Sequence, residues 1–109
     1  MVKIDGTTIT MTRGDTLAVQ LTLTHNNEPY TPVEGDAISF AMKRFVFDTG
    51  EPVLTKTIPT DTLMFELAPA DTKTLDFGEY AYDMQMTFAD GTVDTFIAAA
   101  RFILDPEVN

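Results

Sequence analysis

Asp76-Phe77-Gly78-Glu79-Tyr80-Ala81-Tyr82-Asp83-Met84-Gln85-Met86-Thr87-Phe88, then Ala89-Asp90-Gly91-Thr92, then Val93-Asp94-Thr95-Phe96-Ile97, is the stretch that decides the fold. Tyr80, Tyr82, Met84, Met86 and Phe88 alternate with Glu79, Ala81, Asp83, Gln85 and Thr87. A period of two places the large apolar side chains on one face of a strand and the polar set on the other. Asp90-Gly91 is the dipeptide of a two-residue type I′ turn, in which both central residues take positive φ. The stretch therefore reads as a corner, a long strand, a tight turn and the strand that pairs back.

The same alternation extends outward in both directions. Ile9 and Met11 alternate with threonines over 7–12, and Leu17, Val19, Leu21 and Leu23 face inward over 16–24. Residues 25–36 hold Asn26-Asn27, Pro29, Pro32 and Gly35, too many turn formers for an element. Strands are expected over 37–47, with Ile38, Phe40 and Met42 inward, and over 53–58, where Pro52 and Pro59 mark a sheet edge. A further strand is expected over 62–67, a helical turn over 69–75 starting at Pro69, and a last strand running to about Leu104. The inward phase of that last strand shifts, which predicts a bulge near 97–100. Asp105 to Asn109 reads as a tail, and Asp48-Thr49-Gly50 as a turn.

About seven strands with turn signals every ten residues or so predict an all-β, antiparallel sandwich of two sheets filling residues 1–109 as one domain. Asp-x-Gly-x-Tyr has the spacing of the tyrosine corner of immunoglobulin-like sandwiches, making Gly78 and Tyr80 structural residues together with Asp90 and Gly91 of the turn. Alternating strand directions put residues 28–36, 59–61 and the Asp90 turn at one end. The Arg13 turn, the Asp48 loop and the corner at 69–77 fall at the other.

Composition narrows the function classes. Eighteen threonines suit the solvent face of sheets. A chain of 109 residues buries roughly two-thirds of its unfolded surface, and its lack of Cys excludes a disulfide scaffold. A net charge of −10 repels phosphate backbones and anionic lipid heads, so neither nucleic acid nor membrane is an expected partner. No apolar run has the length of a signal peptide or membrane helix, so synthesis as a soluble cytoplasmic product is expected.

Catalytic candidates are sparse. A nucleophile needs a positioned base, and the single His25 and single Ser39 fall at a strand end and on a solvent face. Paired loop acids for glycoside hydrolysis lack an evident cleft. No enzyme activity and no cofactor are expected. Glu34, Asp36, Asp61, Asp90 and Asp94 converge at one end and are weak Ca²⁺ candidates, without an Asp-x-Asp-x-Asp loop. Zinc lacks its Cys and His ligands. Arg13-Gly14-Asp15 spells an adhesive tripeptide and reads more simply as a turn between strands. Tyr30 and Phe47 are candidates for exposed aromatics, a weak lectin signal. A carbohydrate- or calcium-dependent surface-binding module is thus the alternative to a structural role.

Ile9-Thr10-Met11-Thr12-Arg13-Gly14-Asp15-Thr16, Thr31-Pro32-Val33-Glu34-Gly35-Asp36, and Gly78 to Thr87 with Asp90 to Thr95 resemble small immunoglobulin-like proteins of bacteriophages and prophages. The last of these stretches is also similar to the N-terminal domain of phage baseplate upper proteins. The likeness runs from about Lys3 to Leu104 and rests on strand and turn motifs. It implies a virion role, as a tail, baseplate or tail-associated protein docking onto other phage structural proteins or further copies of itself. The sequence lacks the stalk and receptor-binding parts of the longer baseplate proteins, so direct host recognition is not expected from the likeness. The expected docking surfaces are sheet edges, namely the 53–58 strand and the first strand.

Overall fold

In the computed structural model, residues 3–5, 7–25, 27–47 and 49–107 are described. The turn residues Asn26 and Asp48 and the tail residues Val108 and Asn109 lie outside that set. In chain order the strands are β1 (Lys3–Asp5), β2 (Thr8–Thr12), β3 (Leu17–Gln20), β4 (Thr24–His25), β5 (Glu28–Pro29), β6 (Ala37–Lys43), β7 (Leu54–Ile58) and β8 (Met64–Leu67). One helical turn, α1 (Pro69–Lys73), precedes β9 (Gly78–Thr87) and β10 (Val93–Asp105). Strands take 52% of the chain, so the domain is all-β.

Six strands form one curled sheet in the order β1-β2-β10-β9-β6-β7, and β3 pairs with β8 in a separate ribbon. Alternation on β9 and β6 is converted directly into packing. Tyr80, Tyr82, Met84 and Met86 from β9 and Ile38, Phe40 and Met42 from β6 are all buried. Leu17, Phe65 and Leu67 of the β3–β8 ribbon are buried against them. The Phe40 and Phe65 rings lie 4.6 Å apart, joining the ribbon to the sheet. Phe40 also meets Tyr82 at 5.4 Å, and Tyr82 meets Phe102 of β10 edge-on at 6.2 Å.

The pairing is not antiparallel throughout, as alternation alone suggests. β2 runs parallel to β10, with Ile9 opposite Phe102 and Thr12 opposite Asp105. Nor is the first long strand an edge: β1 folds back along its far side, Ile4 opposite Ile9. The strand expected over 16–24 leaves β8 after Gln20, although its alternation continues. Leu21 N–H still reaches the Leu63 carbonyl at 2.8 Å, and the Leu23 carbonyl accepts from Tyr30 N–H at 2.9 Å. The segment read as a structureless loop contains the short β4–β5 hairpin, with His25 opposite Glu28.

The turn at Asp90-Gly91 is also of another kind. Gly91 alone among its residues has positive φ, at 92°. Gly91 N–H donates to the Phe88 carbonyl and Phe88 N–H to the Thr92 carbonyl, both at 2.8 Å. This is a three-residue loop, a type I turn closed by a glycine bulge, in which Asp90 keeps an ordinary backbone. On β10 the register shifts between Thr95 and Ile97 and again before Ala100, where Ala99 takes φ 51°. Ala99 N–H, freed from the ladder, donates to Asp83 Oδ1 at 2.7 Å. No helix among the described residues is long and apolar enough to cross a membrane.

Candidate functional site

At one end of the molecule, polar side chains fasten loops together. Arg13 Nη2 donates to Glu107 at 2.8 Å, and its Nη1 donates to the Leu75 carbonyl at 3.0 Å. Its guanidinium also lies 5.6 Å from the Phe77 ring centre. The Glu107 bond raises the Arg13 pKa, and Arg13 in turn lowers that of Glu107. Thr72, fully buried in α1, accepts the Gly14 N–H at 2.9 Å. The Arg13-Gly14-Asp15 turn is thus folded onto the corner, its arginine occupied within the chain. Lys56 bonds Asp71 at 3.1 Å, and the same carboxylate accepts the Ala68 N–H at 2.7 Å.

The Tyr80 hydroxyl donates to the Asp76 carbonyl at 2.5 Å, four residues upstream. The Arg44 guanidinium carbon lies over the Tyr80 ring, 4.8 Å from its centre, and the group fits because Gly78 has no side chain to meet it. Tyr80→Phe leaves the Asp76 carbonyl without its donor and should cost about 1–2 kcal/mol in urea denaturation. A melt superimposable on the parent's would remove the hydroxyl from the corner's energetics. Tyr82, one pleat further on, donates to the Thr7 carbonyl, and burial raises its pKa.

The opposite end is acidic. Residues 20–38, 58–64 and 84–98 contain Glu28, Glu34, Asp36, Asp61, Asp90 and Asp94 and no Lys or Arg. The acids do not share one centre. Asp36 accepts from the Tyr30 hydroxyl at 2.5 Å, from Val33 N–H at 3.0 Å and from Ala89 N–H at 2.9 Å. Asp90 accepts from the N–H and hydroxyl of Thr92, and Asp61 from Thr62 N–H. Glu34 is exposed, and Asp94 borders a groove lined by both apolar and polar side chains. No group of three or more His, Cys, Asp or Glu positioned to hold a metal occurs among the described residues. Ser39 is exposed on β6 opposite Thr57 and Gln85, in a different sheet from His25.

Tyr30 is half-buried, its ring edge-on to Phe88 at 5.6 Å, and so is not the exposed aromatic expected from sequence. Its hydroxyl, then Val33 and Ala89, hold the Asp36 carboxyl below its ordinary range, while the Asp36 bond raises the Tyr30 pKa. Thr92 lowers Asp90 in the same way. A carboxyl depressed on folding contributes stability that is fully present above its unfolded pKa and lost as pH falls through the folded value. Stability should therefore decline as pH drops below about 4, and Asp36→Asn should flatten that decline. Urea midpoints measured across acid pH test this; an unchanged slope in the variant refutes it.

Among the described residues, two surfaces stand out as places where a partner could dock. The first is the far side of β7, the outermost strand of the large sheet, with Phe45 (66% exposed) and Phe47 (92% exposed) at the tip of its connection to β6. The second is a groove of about 240 Å³ between the Leu21–Thr24 segment and the start of β10, floored by Leu23, Met86 and Ile97. Sequence reasoning placed Phe47 at the surface but passed over Phe45, whose spacing from Met42 breaks the alternation. It missed the groove altogether. Its one visible sign is the loss of inward phase in β10. No protein-family model matches the chain, and no curated protein matches it.

Proposed function

We propose that this chain is an immunoglobulin-like sandwich acting as a non-enzymatic structural protein of a phage or prophage. Its place is the tail, the baseplate or an associated position, where it docks onto other phage proteins and onto further copies of itself. The observation that carries the fold assignment is strand order. β10, β9, β6 and β7 lie side by side in one layer with β3 and β8 opposite, the order of the G, F, C and C′ strands over B and E in variable-type domains. The Tyr80 bond to Asp76 stands at the start of the F-equivalent strand, where a tyrosine corner belongs.

Supporting the docking role are a β7 edge that no strand covers among the described residues and the exposed Phe45 and Phe47 on its connection to β6. An unpaired edge offers backbone donors and acceptors to a neighbouring strand, and two exposed rings offer apolar area for burial. The carboxyl groups displaced from their ordinary pKa (Asp36, Asp71, Asp90 and Glu107) are all displaced downward. A general acid working near neutrality needs the opposite displacement.

The test is to purify particles induced from a strain carrying the gene and quantify this chain in them by peptide mass spectrometry. A fixed copy number per particle is expected. Gradient-purified particles free of the chain would end the virion reading.

A further inference from the structure

The upper half of β10 has a partner on one side only. β2 pairs with β10 over Phe102–Asp105, and β1 turns back outside β2 instead of running on along β10. Among the described residues no strand covers the outer edge of β10 from Val93 to Ala98. The hydrogen-bonded pair of Phe88 and Thr92 sets the phase of the ladder. Alternation from it makes Asp94 and Met86 the next hydrogen-bonded pair and turns the N–H and C=O of Val93 and Thr95 outward. Directly beneath this edge lies the groove floored by Leu23, Met86 and Ile97. Since a cavity of roughly 150 Å³ takes a benzene, the groove has room for about two small aliphatic side chains.

Asp94 is the discriminating residue. It shares a face with its partner Met86, so its carboxylate borders the groove on an otherwise apolar side of the strand. A charge on the inner face of an edge strand is a device against unwanted pairing, as is the bulge that follows it. It does not exclude all partners equally. A second copy of the chain would bring its own Asp94 and a net charge of −10 to an end that already holds six carboxylates and no Lys or Arg. A strand carrying Lys or Arg would meet opposite charge at Asp94 and an end of the molecule that carries no competing cation.

We infer that the Val93–Ile97 edge is an acceptor for an extended, basic segment of another polypeptide. That segment adds as a strand beside β10 and sets alternate aliphatic side chains into the groove. Its backbone is held by Val93 and Thr95, and its charge is selected by Asp94 and the acids around it. The inference rests on the docking reading above and not on a place in a virion. The binding test uses the isolated chain, so absence from particles leaves it standing.

The probe is fluorescein-labelled Lys-Val-Thr-Ile-Thr-Val-Lys, compared with the same peptide bearing Glu at both ends and with one bearing Pro in place of the central Ile. Fluorescence anisotropy should show the basic peptide binding about tenfold more tightly than the acidic one, with affinity falling as salt rises. The proline peptide should bind least. Amide exchange at Val93 and Thr95 should slow when the basic peptide is added. Asp94→Lys, at an exposed position, should keep the parent's melting curve and sharply narrow the preference for the basic peptide. Equal binding of all three peptides would overturn the inference. So would a Val93 or Thr95 amide already protected in the free protein, because the edge would then be filled by the chain itself or by a second copy.

Discussion

Phe40→Ala will lose about 3–5 kcal/mol of folding stability, the cost of emptying a large buried aromatic site. Phe40 is fully buried, and its ring contacts Phe65 across the layers, Tyr82 on β9 and Phe102 on β10. These neighbours are themselves fixed by strand pairing, so they cannot collapse into the space. A domain of this size has about 5–15 kcal/mol in total, and the variant should therefore melt about 15–25 °C below the parent. Phe47→Ala, removing an equal ring from a 92% exposed position, should change stability by less than about 0.5 kcal/mol. Urea denaturation of the pair decides the matter. Comparable losses would mean that the sheet and the ribbon do not close over Phe40.

Gly35→Ala should cost about 2–4 kcal/mol although it changes one surface atom group. Gly35 has φ 96°, which a residue with a side chain adopts only under strain. A Cβ there would also lie 2.8 Å from the Ala89 Cβ. Relieving that contact means parting the 31–36 loop from the Ala89 turn, and the Ala89 N–H to Asp36 bond spans this gap. The variant should therefore lose part of its acid-pH dependence together with its stability. A Gly35→Ala protein as stable as the parent would show that this loop contact carries no strain.

What was legible in the sequence was whatever burial imposes on a single strand. The inward sets on β9, β6 and β3, the edge position of β7, the helical turn at Pro69 and the bulge in β10 all follow from side-chain period and from proline. Partner choice is a different quantity. Nothing in Thr8–Thr12 distinguishes a parallel neighbour from an antiparallel one, because its alternation is the same in both. The departure of residues 21–23 from β8 is set by Leu63, whose φ of 54° ends the 59–63 turn and starts β8 late. Asp90-Gly91 suited two hairpin turns, and the extra residue Ala89 selected the longer one.

The acidic end was visible as a list of carboxylates, but their separate uses were not. Asp36 works as a clamp because Tyr30, Val33 and Ala89 arrive from three directions, and only the folded chain brings them there. The groove follows from a missing neighbour, the one thing a periodic reading of individual strands does not register.

The side-by-side placement of β2 and β10 sets the order of events during synthesis. Ile9 and Met11 leave the ribosome well before Phe102 and Leu104, the backbone they dock onto. At ordinary translation speeds of about 5–20 residues per second, that early segment waits several seconds for its mate. Its threonines keep the waiting piece hydrated. Closure of the β2–β10 seam is then a late, long-range event, and nascent chains halted before Phe102 will remain open and vulnerable to proteases.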